Sequence, residues 1–173
     1  MSGVRIPLYV IGIDPGLKGH GYAALDALTG DLVVAGFVKR PGNVRRGARA
    51  WSEIAKGVLR DLGVFKADLV AVEQPVCYPH SPVPPNDLIE VACAGTYVGA
   101  ALVAASRSPC TFHAVQPRTW KGQVPKEVMC KRIMGKLTDA EIQRIDWPSS
   151  KTYHSDVIDA IGIAKWAVSP DRW

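Results

Sequence analysis

The feature that most constrains the fold is a short apolar run, residues 69–72, set between two long helical patterns. The run is too short for a helix and contains two β-branched valines, which is typical of a strand buried on both faces of a sheet. Before it, residues 45–62 carry apolar side chains at helical spacing, and after it, residues 87–106 form a long alanine-rich helical pattern. A buried strand between two helices predicts an α/β fold.

The order of the predicted elements narrows this fold class. The turn signal Thr29-Gly30-Asp31 joins two strand patterns and predicts an antiparallel hairpin. These two strands cover residues 21–26 and 32–38. Further predicted elements are strands over 9–14 and 111–116, a helix from Pro125, and a helix over 155–168. The resulting order, β-β-β-α-β-α-β-α-α, predicts a mixed five-stranded sheet flanked by helices on both faces. We expect a single domain over residues 1–173, because no repeat or long linker divides the chain.

Four acidic residues fall where such a fold gathers functional groups. Asp14 and Glu73 each end an apolar strand, and Asp156 and Asp159 lie three residues apart on one face of the last helix. Taken singly, Asp14 can be a turn residue, and acids in a first helical turn are favoured by the helix dipole alone. Four acids in this arrangement indicate a cluster.

A cluster of carboxylates is stable only with cations, because burying uncompensated charge costs several kcal/mol. Mg²⁺ prefers carboxylate oxygens and retained waters. The four cysteines contain no Cys-x-x-Cys pair, which argues against a zinc site. The residues therefore predict a site for hard divalent cations.

Composition excludes other classes of protein. With 47% hydrophobic and 21% charged residues, the chain is typical of a globular protein and not of a disordered one. No stretch approaches the roughly 18 apolar residues of a membrane span, and the run 8–13 is too short for a signal peptide. We therefore expect a soluble protein in the cytoplasm with no membrane partner. The net charge of +5 is compatible with nucleic-acid binding without establishing it.

Three motifs resemble the RuvC family of Holliday-junction resolvases. They are Ile11-Gly-Ile-Asp14-Pro-Gly16 with Gly21-Tyr22, then Val72-Glu73-Gln74, then His154-Ser-Asp156-Val-Ile-Asp159-Ala-Ile-Gly-Ile-Ala164. Actin-like ATPases and other RNase H-like nucleases share related first strands, but the three motifs in this order and in so short a chain are specific. The similarity runs from about residue 9 to residue 168. The proline-rich loop over residues 75–86 departs from the common bacterial pattern, as expected of a divergent or phage-encoded member.

The resemblance implies an RNase H-like fold and a Mg²⁺-dependent crossover-junction endodeoxyribonuclease. Asp14, Glu73, Asp156 and Asp159 match the family's catalytic acids, which hold two Mg²⁺ ions, with Mn²⁺ as a substitute. The family acts as a homodimer that nicks two symmetric strands of a four-way DNA junction. Branch-migration machinery is a further expected partner, and the host cytoplasm is the expected location if the protein is viral.

The resemblance marks the DNA contacts less sharply than the acids. Lys121 and Lys126 lie where the family has functional lysines, and Arg118 belongs to the same basic stretch. The family often carries an aromatic residue that meets DNA bases shortly after the second motif. Tyr78 or Val76, in a proline-rich loop, is the candidate for that role here.

Two features leave alternatives open. Trp120 can stack on a base or pack in the core. Gly95 and Gly99, in the alanine-rich helical pattern, allow close approach of another element, either across a dimer seam or within the core.

Three other functions compete with junction resolution. A related RNase H-like nuclease would have broader branched-DNA or RNA specificity. An actin-like ATP-binding protein needs two such subdomains and a longer chain than 173 residues. A catalytically silent binder of DNA structures would not need all four acids.

Overall fold

The computed structural model describes residues 8–63, 65–77 and 83–169, and these contain a five-stranded sheet. The strands are β1 (Leu8–Gly16), β2 (Gly19–Asp26), β3 (Leu32–Lys39), β4 (Lys66–Glu73) and β5 (Thr111–Val115). Their order in the sheet is β3-β2-β1-β4-β5. The pairs β1–β2 and β2–β3 are antiparallel, whereas β1–β4 and β4–β5 are parallel. The predicted mixed sheet and its hairpin are confirmed.

Helices cover both faces of the sheet, as predicted. They are α1 (Ala48–Leu62), α2 (Pro85–Ala105), α3 (Pro117–Lys121), α4 (Lys126–Met134), α5 (Asp139–Ile142) and α6 (His154–Val168), with a short 3-10 turn at Lys151–Tyr153. Strand residues such as Ile13 and Val72 pack under α1 and α2, while Ala71 and Val115 pack under α6 and α4. This division follows from the alternation of side chains along a strand.

Two glycines bring the backbone of α6 against the strands. A Cβ atom at Gly12 would lie 2.3 Å from the carbonyl oxygen of Ala160, and one at Gly21 would lie 2.1 Å from that of Asp156. Real side chains do not tolerate such distances, so only glycine permits this approach. Gly21 is paired with Asp14 across β1 and β2. The first turn of α6 is therefore held beside the end of β1.

The glycines of α2 pack in the core. A Cβ atom at Gly95 would lie 2.9 Å from the Pro15 side chain, and one at Gly99 would lie 2.3 Å from the ring of Phe112. Both glycines thus face the sheet, which resolves the alternatives left open by the sequence. A contact between copies of the chain would have to use another face of α2.

The prediction that no segment is apolar and long enough to cross a membrane was wrong for α2. This helix has 21 residues and a mean hydropathy of 1.8, which meets the length and composition of a span. Isolated polar residues such as Thr96 interrupt the apolar positions of this helix without lowering its mean hydropathy much. In the fold, α2 covers the sheet with Val98 and Leu102 fully buried.

Candidate active site

Asp14 and Glu73 lie side by side at the ends of the two central strands. The last pair in the β1–β4 register is Ile13 with Val72, and each acid is one residue further along its strand. Gly12 contacts α6, and Ala71 packs in the same layer. Because side chains alternate, Asp14 and Glu73 project on the face that α6 covers.

The first two turns of α6 supply the other two acids. Asp156 is half-buried, and its backbone is the part of α6 that touches Gly21. Asp159, one turn on, has only 3% of its surface exposed. Its Oδ1 atom is buried and has no hydrogen-bond partner among the described residues. An unpartnered carboxylate oxygen at this depth can accept a further donor or a cation.

Two lysines bridge the acids of the site, and one of them, Lys121, links a strand acid to a helix acid. Lys121 Nζ lies 3.4 Å from Glu73 Oε2 and 3.8 Å from Asp159 Oδ2. Lys126 Nζ lies 3.4 Å from Asp159 Oδ2 and 3.8 Å from Asp156 Oδ1. Lys121 therefore bridges a carboxylate of β4 and a carboxylate of α6, which lie far apart in the sequence. Lys126 bridges two carboxylates that lie one helical turn apart on α6.

Trp120 was open to two interpretations, and it is buried. Its ring is 3% exposed and packs against Gly162, so it is not available to stack on a base. Its indole Nε1 donates a hydrogen bond of 2.6 Å to Glu73 Oε2. The same ring lies under the Lys121 ammonium, 4.8 Å from the centroid. Sequence reasoning missed this link to Glu73, although the N–H of a buried tryptophan usually finds an acceptor.

The electrostatics of the site favour added positive charge. Burial raises the pKa of Asp14 well above its usual range, and neighbouring carboxylates, Glu73 first, raise it further. Burial likewise raises the pKa of Glu73 and of Asp156, against the opposing effects of Lys121 and Lys126 respectively. Cations stabilise the charged forms of these three acids, which burial disfavours.

The donor set fits a hard divalent cation in its chemistry. All four acids offer carboxylate oxygens, the ligands that Mg²⁺ prefers, and the second oxygen of Asp159 is unpartnered. In the described part of the chain, however, no three acidic, cysteine or histidine side chains are arranged to hold one metal ion as they stand. Glu73, Asp156 and Asp159 are instead paired with lysine ammonium groups, whose side chains are long enough to move aside.

Three solved structures share this architecture over nearly the whole chain. The structure of Thermus thermophilus RuvC in complex with a Holliday junction substrate matches with a TM-score of 0.65 and 24% identity, covering 95% of this chain and 96% of that one. The chain has the RuvC fold. A second Thermus thermophilus RuvC structure gives a TM-score of 0.62 at 22% identity, over 95% of this chain and 96% of that one. The yeast mitochondrial Holliday junction resolvase Ydc2 gives 0.55 at 12% identity, covering 96% and 82%. No family model and no curated protein sequence matches the chain.

The match to the RuvC fold confirms the predicted fold class, which both the order of the elements and the resemblance indicated. The remaining predicted site residues are placed as follows. Arg118 is exposed on α3, three residues before Lys121, and Val76 is half-buried after β4. Tyr78 lies outside the described residues. His154 Nε2 lies 3.0 Å from the carbonyl oxygen of Pro148, a contact that serves the start of α6.

Proposed function

We propose that the chain is a structure-selective DNA endonuclease that resolves four-way junctions by paired symmetric nicks. The observation that carries this proposal is the meeting of Asp14, Glu73, Asp156 and Asp159 at the ends of β1 and β4, bridged by Lys121 and Lys126. The RuvC fold supports it independently of the motifs. Hydrolysis of a phosphodiester would leave a 5′-phosphate and a 3′-hydroxyl.

The four acids would hold two Mg²⁺ ions, or Mn²⁺ in their place. When bound, such ions lower the pKa of a water molecule and stabilise the charge on the leaving oxygen. The chain's own contribution is position. The β1–β4 register fixes Asp14 beside Glu73, and the rigid α6 fixes Asp156 relative to Asp159.

The lysines and Trp120 act on the acids and on the substrate. The indole N–H of Trp120 holds Glu73 in one orientation. Lys126, whose side chain is about half exposed, lies at the opening of the site and attracts the phosphate of an approaching strand. Lys121 is more deeply buried and offsets the charge shared by Glu73 and Asp159.

We propose that two copies of the chain form a homodimer, because paired nicks need two sites. The outward face of α2 supports this proposal. Ile89 and Tyr97 on that face are 60% and 40% exposed, so the face offers apolar surface to a second copy. We also propose a cytoplasmic location, in the host if the protein is viral, where branch-migration machinery would supply junctions.

The test is cleavage of a mobile four-way junction with mapped nicks, with and without Mg²⁺. Symmetric nicks on opposite strands, only with Mg²⁺ or Mn²⁺, are expected. A parallel panel of forks, flaps, duplex DNA and RNA–DNA hybrids separates junction resolution from the broader RNase H-like specificity. Equal cleavage across the panel would favour the broader nuclease.

Asp14→Asn tests the assignment of the acids. We expect this variant to bind the junction but to cut it much more slowly. Loss of a residue that only hydrogen-bonds a metal ligand costs about 10- to 100-fold in activity, and loss of a ligand itself should cost more. Wild-type cleavage by the variant would contradict the assignment.

A further inference from the structure

A cationic groove adjoins the carboxylate site on its α3–α4 side. One part is a cavity of about 390 Å³, and its polar lining includes four basic side chains. These are Arg118, Lys121, Arg132 and Lys136. Trp166, Val124 and Met129 supply apolar lining. Among the described residues, no acid lines this cavity.

A second cavity continues the first across the turn between α3 and α4. It has a volume of about 460 Å³ and shares Arg118, Lys121 and Gly122 with its neighbour. Gly122 has a φ of +61°, a left-handed conformation that keeps this turn tight and free of a side chain. We call the two cavities together the α3–α4 groove. Again no acid is among its described lining residues.

The two arginines of the groove carry charge that no acid offsets in the described part of the chain. Arg118 and Arg132 make no ion pair within the described residues. Lys121 links the groove to the site, since its ammonium also contacts Glu73 and Asp159. Guanidinium groups form bidentate hydrogen bonds with phosphate, so two uncompensated arginines lining one groove favour an anionic ligand.

We propose that the α3–α4 groove binds the phosphodiester backbone of the DNA strand next to the bond that is cut. This inference rests on the proposed nuclease function and assigns the path of the substrate beside the acids. Arg118 and Arg132 hold phosphates, and Lys121 lies where the strand passes from the groove to the carboxylates. The contacts are to the backbone, so they add affinity without reading sequence.

The test compares Arg132→Gln with Lys131→Gln, which removes the same charge from the neighbouring position on α4 but outside both cavities. Both are made in the Asp14→Asn background, and binding of a four-way junction is measured over a range of salt concentrations. We expect Arg132→Gln, and separately Arg118→Gln, to reduce the slope of log affinity against log salt by about one. Lys131→Gln should leave the slope unchanged, and Arg132→Lys should retain it because the charge remains.

Two results would overturn the inference. One is equal salt slopes for Arg132→Gln and Lys131→Gln in variants whose circular dichroism is unchanged. The other is a wild-type slope in Arg118→Gln. Either result leaves the proposed function intact if the wild-type chain still cuts the junction, whereas failure of the wild type to cut any branched DNA counts against the proposed function itself.

Discussion

Trp120 shows how one side chain can order a charged site from the core. Its N–H bonds to Glu73, and its ring supports the ammonium of Lys121. A neutral donor and a cation, both from α3, thus contact the same oxygen of Glu73, Oε2. Without the indole donor, a carboxylate at the end of β4 would keep only the longer contact with Lys121.

Trp120→Phe is expected to lower kcat of junction cleavage by 10- to 100-fold while changing KM little, because only the orientation of Glu73 is lost. The apparent affinity for Mg²⁺, measured by calorimetry without DNA, should fall as well. Trp51→Phe is a matched control, since it removes a similar tryptophan–glutamate bond, of 2.9 Å to Glu90, between α1 and α2. Equal effects of the two variants would indicate that Trp120 is merely structural.

Residues of the site differ in how far sequence could predict them. Asp14, Glu73, Asp156 and Asp159 could be predicted because each sits in a motif tied to a strand end or a helix start. The bond from Trp120 to Glu73 joins residues 47 positions apart and depends on how α3 docks, which no local pattern encodes. The catalytic role of the four acids stays a prediction.

Among the elements, α5 is anchored by a single carboxylate. Glu141 completes the capping box with Thr138 and accepts hydrogen bonds from Leu32 N at 2.7 Å and Lys165 Nζ at 3.0 Å. Burial alone would raise the pKa of Glu141, but the backbone donors of Thr138 and Leu32, together with Lys165, outweigh it and lower this pKa to about 2. The side chain thereby ties α5 to both β3 and α6.

Glu141→Gln is expected to destabilise the fold at pH 7 by roughly 3 kcal/mol. Because the folded pKa is depressed, the stabilisation is present above the unfolded value of 4.5 and is lost as pH falls through about 2. The difference in unfolding free energy between wild type and variant should therefore shrink over that range in denaturant titrations. Glu53→Gln, at an exposed pair with Lys56, is the control and should change stability little at any pH. A pH-independent loss in Glu141→Gln would contradict the assignment.

The long helices and strands could be predicted from the periodicity of apolar residues. The elements that differ from the prediction do so for physical reasons. The helix α3 has five residues, too few to show a helical repeat, and it was not predicted. Strand β1 continues through Pro15 to Gly16, although proline usually ends a strand. Pro15 lies beyond the last residue pair between β1 and β4, and it pairs only with His20 of β2. Because no residue of β4 is paired with Pro15, the missing N–H of the proline costs no hydrogen bond to β4. The four-residue α5 is also too short to show a helical repeat, and a capping box of Thr138 and Glu141 starts it.

At the scale of the whole molecule, the exposed face of α2 carries the proposed dimer. The double variant Ile89→Asp/Tyr97→Asp should shift the protein from dimer to monomer in light scattering and replace paired nicks by single ones. Leu28→Asp, at a leucine that is 68% exposed in the β2–β3 turn, is the control and should leave both properties unchanged. A wild-type chain that is monomeric at all concentrations would contradict the proposal. That one domain spans residues 1–173 stays a prediction.

The contacts at Gly12 and Gly21 have a consequence for how this architecture can diverge. They join main chain to main chain, so the spacing between the acids on β1 and those on α6 is set by backbone atoms. Apolar side chains around them can be exchanged over evolutionary time without moving the carboxylates, as long as volume is kept. A methyl group at either glycine would push α6 outward and separate the acids although every one of them is still present. Distant homologues are therefore better sought by these two small residues together with the acids than by overall identity.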